Sequence, residues 1–205
     1  MVPGRARHLS QRSMTFDTIT ETIDPHQGIV AASAVLGFAM NADVLTASLL
    51  RTLARSKPSG TFLELGTGTG LSTAWLLDGM DQHSTLISVD NDAACQAIAE
   101  RFLGHDKRLT LVCQDGTEWI DANTEAFDFI FADTWAGKYL QLDETLAMLK
   151  PGGLYVIDDM LPQPNWPDGH DAKAQQLVAH LEDREDIVLT KLAWSTGLII
   201  ATKKD

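Results

Sequence analysis

The sequence predicts a single α/β domain over residues 1–205, a mostly parallel sheet with helices on both faces, and three observations predict it. An apolar run, Thr61 to Leu65, passes through glycines at alternate positions, Gly66, Gly68 and Gly70, straight into the helical stretch Leu71 to Leu77. Four further apolar runs, each ending in an acid, alternate with helical stretches, and this alternation builds a parallel sheet covered by helices. The chain closes on Ile187 to Leu192 and Leu198 to Ala201 around Ser195-Thr196-Gly197, the pattern of a hairpin that adds an antiparallel strand.

Each element follows from local pattern. Residues 1–14 are polar, carry Arg5, Arg7 and Arg12, and read as a disordered arm; residues 15–40 are expected to cover the substrate side. Two helical stretches fill Ile29 to Ser56, broken at Met40-Asn41-Ala42-Asp43, where Asn41 or Asp43 caps the second. Val44, Leu45, Leu49, Leu50 and Leu53 form that helix's apolar face. The acid-tipped strands are Ser84 to Asp90, Leu109 to Asp115, Phe127 to Asp133 and Leu154 to Asp159, the last preceded by a turn at Lys150-Pro151-Gly152-Gly153. A proline-rich loop, Leu161 to His170, leads to a helix ending near Asp183.

Composition limits the partners. A formal net charge of -12 disfavours nucleic acid, whose phosphates need clustered Lys and Arg, and leaves a small molecule as the expected partner. No apolar run approaches the length of a membrane span, and the start has no hydrophobic signal core. Cys95 and Cys113 stand apart, without metal or redox spacing, which suits reduced thiols in the cytoplasm.

The carboxyl ends of parallel strands are where open α/β sheets bind ligands, so the acids and the glycine loop converge on one site. Glycines let the backbone take positive φ and approach a ligand, while the first N–H groups of the following helix stay free to donate. Asp90 suits the two hydroxyls of a ribose, or the cap of the next helix. Glu64, just ahead of the loop, would repel a pyrophosphate and suits a ligand bearing ammonium or sulfonium charge. The glycine spacing also departs from the G-x-G-x-x-G of dinucleotide folds. An NAD(P)-linked oxidoreductase is therefore the alternative reading, together with a protein that keeps the cofactor pocket without the chemistry.

Glu64-Leu65-Gly66-Thr67-Gly68-Thr69-Gly70 resembles motif I of the class I S-adenosylmethionine-dependent methyltransferases. With Met40-Asn41, the segment Phe129 to Tyr139 and Asp158-Asp159, the likeness is closest to small-molecule O-methyltransferases of the catechol and caffeoyl-CoA type. It implies a three-layer Rossmann-like fold with a seven-stranded sheet, and transfer of a methyl group to a hydroxyl. It implies cofactor contacts from Met40, Glu64, Gly66, Thr67, Gly68, Gly70, Ser72, Asp90, Asp115, Gly116 and Asp133, with Asp115 near the adenine and Trp119 stacked on the base or simply in the core. It also implies Mg²⁺ held by Asp133, Asp158 and Asp159. The pattern departs at two places: Asp159 replaces an amide, and Ala136 stands where the family has its general-base lysine. Asp133 and Lys138 are the candidate catalytic groups, with His26 and His170 as other proton acceptors. Lysine's ordinary habit makes Lys138 a solvated or salt-bridged side chain. Trp135 and Trp166 either wall the acceptor pocket or belong to the core. The small-residue stretch Ile29 to Ala39 serves a homodimer or packs on its own sheet.

Overall fold

The computed structural model describes residues 18, 19, 21–164 and 166–205. The arm expected over 1–14, with its three arginines, lies outside the described residues. The elements run α1 (His26–Leu36), α2 (Val44–Arg55), β1 (Thr61–Leu65), α3 (Leu71–Gly79), β2 (Thr85–Asp90), α4 (Ala93–Leu103) and β3 (Leu109–Cys113). They continue as α5 (Gly116–Ala122), β4 (Phe127–Ala132), α6 (Leu142–Ala147), β5 (Leu149–Ile157), α7 (His170–Glu182), β6 (Ile187–Leu192) and β7 (Leu198–Lys203).

Among the described residues seven strands form one sheet in the order β3-β2-β1-β4-β5-β7-β6. The pairs β1–β2, β2–β3, β1–β4 and β4–β5 are parallel, and β7 runs antiparallel to both β5 and β6. Strand order reverses between β1 and β4, and a crevice opens outside their carboxyl ends at such a switch point. The central strands are buried on both faces, as parallel strands must be. On one face Leu50 of α2 and Trp75 and Leu76 of α3 pack on Phe62, Phe129 and Val156. On the other, Ile120 of α5, Leu146 of α6 and Leu181 of α7 pack on Leu63, Ile130 and Tyr155.

Three expectations change. Lys150-Pro151-Gly152-Gly153 does not separate a turn from a strand but lies within β5 as a bulge. Phe127 pairs with Leu149 and Phe129 with Leu154, so the extra residues loop out, with Gly152 at φ +72. The N-terminal cover is partial: Ile19 and Ile23 pack on the core beside α2 and α3, Glu21 pairs with Arg51 at 2.7 Å, and the end of the segment, Phe38 to Met40, reaches the crevice. Helix α1 begins at His26 rather than Ile29 and packs on its own chain. Ile29 and Ser33 are buried, and a Cβ on Gly28 would meet the Phe102 ring at 2.7 Å. Val30, Val35 and Leu36 stay exposed on its outer side. Among the described residues no helix is long and apolar enough to cross a membrane.

Candidate active site

The loop after β1 is shaped by its three glycines, at φ +102, +50 and +91 for Gly66, Gly68 and Gly70. A Cβ on Gly66 would stand 2.9 Å from the Asp133 carbonyl oxygen, so the loop crosses the end of β4 only because position 66 has no side chain. Gly70 has a different task. Its Cβ would meet that of Ala99 at 2.9 Å, so it lets the start of α3 lie against α4 and does not line the crevice.

Beneath the loop runs a buried polar network. Glu64 is fully buried, and its Oε2 accepts from Thr73 Oγ1 at 2.5 Å and Ser88 Oγ at 2.6 Å. Ser88 also pairs with Thr67 at 2.6 Å, and Gln96 Nε2 donates to Thr67 Oγ1 at 3.2 Å. Burial pushes the Glu64 carboxyl up to about 7, against the lowering effect of the hydroxyls of Ser72, Ser88 and Thr73. Its Oε1 has no partner. The carboxylate expected to face a ligand ammonium is thus sealed under the loop, where it braces Thr67, Thr73 and Ser88. The hydroxyls interleaved with the glycines are the signal for this network that the sequence reading passed over. Thr69 Oγ1 likewise donates to Asn41 Oδ1 at 2.7 Å and pairs with Ser33, tying the residues after α1 to the loop.

Two adjoining cavities occupy the switch point. The larger, of about 700 Å³, brings together Met40, Gly66, Thr67, Gly68, Ser72, Asp90, Asp133, Lys138, Asp158 and Asp159. The smaller, of about 270 Å³, is lined by Asp115, Gly116 and Ala136, and both share Gly66 and Asp90. Asp90 accepts from the Gly68 N–H at 2.7 Å on Oδ2 and from the Asp92 N–H at 2.9 Å on Oδ1. It does not cap α4. Asp92 does, accepting from Ala94 and Cys95 at 2.8 and 3.0 Å. Asp115 caps α5 through Oδ1, which accepts from the Thr117 hydroxyl and from the N–H groups of Thr117 and Glu118 and so holds the carboxyl below its ordinary range, and the residue lines the smaller cavity. Trp119 lines neither cavity and packs on Phe127 at 6.3 Å between ring centres.

Across the larger cavity the sequence expectation for Lys138 reverses. It is 4% exposed, not solvated, and its Nζ donates to the Asp158 main-chain oxygen at 2.5 Å. The turn that carries it is held by the Gly137 N–H to Leu140 oxygen bond of 2.7 Å and by the Tyr155 hydroxyl, which donates to the Gly137 carbonyl. Burial lowers the Lys138 pKa, while Asp133, Asp159 and Asp158 pull it back up. The acids respond in turn. Asp133 is held well above the ordinary carboxyl range by burial first and then by the charges of Asp158 and Asp159. Asp158 is raised by burial, against hydrogen bonds from Thr196 Oγ1 at 2.6 Å and the Asp159 N–H at 2.8 Å, both to Oδ1.

These residues do not fit a divalent ion. Mg²⁺ demands oxygen ligands close to octahedral geometry, and among the described residues no group of three or more His, Cys, Asp and Glu side chains is gathered to hold a metal. One Asp158 oxygen is already committed twice, and Asp159 follows in a left-handed backbone conformation at φ +55.

The outer wall is aromatic. Trp135, Tyr139, Trp166 and His170 line the larger cavity, with ring centres of Trp166 and His170 4.5 Å apart and of Tyr139 and His170 5.2 Å apart. Both tryptophans therefore face the cavity rather than the core. His170 is 8% exposed, Nε2 lies 3.2 Å from the Tyr139 hydroxyl, and Nδ1 has no partner. His26 is elsewhere, its Nδ1 accepting from Trp75 Nε1 at 3.2 Å.

A family model for a methyltransferase domain matches residues 63–160, from β1 to just past β5. That match covers just under half of the chain; with the strand order and the paired cavities at the switch point, the fold is that of a Rossmann-like methyltransferase domain, and the chain is similar to class I S-adenosylmethionine-dependent methyltransferases. Among individual proteins, the chain is similar to the "Putative O-methyltransferase" of Mycobacterium sp. (strain JLS), 31% identical over 139 residues. That alignment spans 63% of this chain and 63% of the relative, just short of two thirds of its length. Two solved structures share the fold. The O-methyltransferase TomG of Streptomyces achromogenes, involved in tomaymycin synthesis and in complex with SAM, gives a TM-score of 0.76 at 20% identity, over 90% of this chain and 92% of that one. The O-methyltransferase of Bacillus cereus in complex with SAH gives 0.77 at 18% identity, over 92% and 94%.

Proposed function

We propose that this chain transfers a methyl group from S-adenosylmethionine to a hydroxyl of a small-molecule acceptor, in the cytoplasm. The observation that carries the reading is Asp90 at the junction of the two cavities. Each of its oxygens holds one backbone N–H, which leaves a second lone pair on each for the two hydroxyls of a ribose. From that junction the adenine enters the smaller cavity toward Asp115 and Gly116. The methionine end runs the other way, past Gly66, Thr67 and Gly68 to Ser72 at the start of α3, whose free N–H groups suit its carboxylate. Met40 closes the rim.

The bound donor supplies a methyl group on a sulfonium, ready for in-line attack. The protein's contribution is to align the acceptor oxygen with it and take the proton, and alignment supplies most of the rate. Asp133 is the proton acceptor, because a partly buried carboxylate beside two other acids binds a proton readily. Trp135, Tyr139, Trp166 and His170 form the acceptor wall. No step is assigned to Mg²⁺. The same reading carries a homodimer across the exposed Val30, Val35 and Leu36, to be checked by analytical ultracentrifugation.

Calorimetric titration with S-adenosylhomocysteine tests the reading, with NADH as the control. One-to-one binding that Asp90→Ala weakens about tenfold to a hundredfold is expected, since hydrogen bonds to a charged group contribute about 1.5–3 kcal/mol. Saturable NADH binding, or no binding of S-adenosylhomocysteine, would overturn it.

A further inference from the structure

We infer that Lys138 stands in for a divalent cation at the acid cluster, so that its ammonium holds the acceptor oxygen and methyl transfer proceeds without a metal. The inference rests on the methyl-transfer reading and goes beyond it by assigning the cation. Four observations carry it. Lys138 is buried at the mouth of the acids, and an amine is rarely found so deep without opposing charge. Asp133, Asp158 and Asp159 line the same cavity, yet they are not gathered as metal ligands and Asp158 Oδ1 is spent on Thr196 and the Asp159 N–H.

The lysine's position is built rather than incidental. Gly137 at φ +78, its carbonyl held by Tyr155, sets the turn, and the Asp158 main-chain oxygen anchors Nζ at 2.5 Å. The ammonium has three donors. One is used by Asp158, and the Tyr139 ring lies 5.3 Å away, which leaves two for an incoming oxygen. Position 136, by contrast, faces the other cavity. Ala136 is 6% exposed and lines the smaller cavity but not the larger one that holds the acids. The lysine of this site is carried two residues later, at a position that does line the larger cavity.

The reaction balances without a metal. The acceptor O–H bond breaks and its proton passes to the Asp133 carboxylate. An oxygen lone pair forms the new C–O bond to the methyl carbon, and the C–S bonding pair stays on sulfur, leaving a neutral thioether. Asp133 then returns the proton to solvent. Throughout, the Lys138 ammonium offsets the negative charge that develops on the oxygen, the task a Lewis acid would perform.

Manganese binding tests the inference directly. The chelator-treated full chain, saturated with S-adenosylhomocysteine, is titrated with Mn²⁺ while the electron paramagnetic resonance signal of the free ion is followed. The wild type is expected to leave that signal intact into the millimolar range. Lys138→Met, which keeps the unbranched stem one atom shorter and removes the charge, is expected to bind Mn²⁺ at least about tenfold more tightly, a gain of about 1.4 kcal/mol. Lys138→Arg should behave as the wild type and guards against a Met variant that fails to fold. One Mn²⁺ bound per wild-type chain in the micromolar range would overturn the inference. So would a folded Lys138→Met that binds no more tightly than wild type. Calorimetry with S-adenosylhomocysteine on the same samples keeps the two readings apart: its failure removes the methyl-transfer reading, whereas the manganese result bears on Lys138.

Discussion

Replacing Glu64 with glutamine should change how stability depends on pH, with little change in shape. The side chain is fully buried, one oxygen accepts from Thr73 and Ser88, and the other has no partner. Burial lifts its pKa from an ordinary 4.5 to about 7. Between those values the folded chain holds a proton that the unfolded chain has released, so the free energy of unfolding falls as pH rises. The contribution is complete below 4.5 and gone above about 7. At about 1.4 kcal/mol per pH unit, that window amounts to about 3 kcal/mol. Glu64→Gln keeps the volume and the acceptor for both hydroxyls but cannot titrate. Urea unfolding followed by tryptophan fluorescence, at about pH 5 and about pH 8, should show the wild type losing about 3 kcal/mol more than the variant across that interval. Asp133 and Asp158 shift in the same direction and are present in both proteins; the Glu64 charge is only the smallest cause of the Asp133 shift and no cause of the Asp158 shift, so their main parts cancel in the difference. Parallel pH profiles for the two proteins would refute the reasoning, because Glu64 would then titrate alike folded and unfolded.

Two further substitutions separate the parts of the site. Gly66→Ala forces a side chain to φ +102 and to 2.9 Å from the Asp133 carbonyl oxygen. It should cost about 1–3 kcal/mol of stability and weaken S-adenosylhomocysteine binding, both read from thermal shift with and without that ligand. Trp166→Ala and His170→Ala remove aromatic wall from the larger cavity and leave the smaller one untouched. With an acceptor identified by screening, steady-state kinetics should show a KM for it raised about tenfold, about the loss of one aromatic contact, and an unchanged affinity for the donor.

Much of the fold was legible in the chain because its signals are local. The glycine loop between Leu65 and Leu71, the acid tips of the strands and the Ser195-Thr196-Gly197 turn depend on a few neighbouring residues, and the structure has strands and helices where those patterns lie. The sharing of one crevice by Asp90, Asp115, Asp133 and Asp158 was legible too, since the carboxyl ends of parallel strands fall on one edge of a sheet. Burial and partner choice were not. A lysine in sequence is a solvated lysine until a turn closed by Gly137 and Tyr155 folds it among three acids. A glutamate beside a glycine loop looks like a ligand contact until Thr73 and Ser88, 9 and 24 residues away, claim its oxygen. Position along the chain sets which backbone ends meet. Which side chains lose their water is decided by segments distant in sequence, and that alone separates Lys138 in the cavity from Glu64 beneath it.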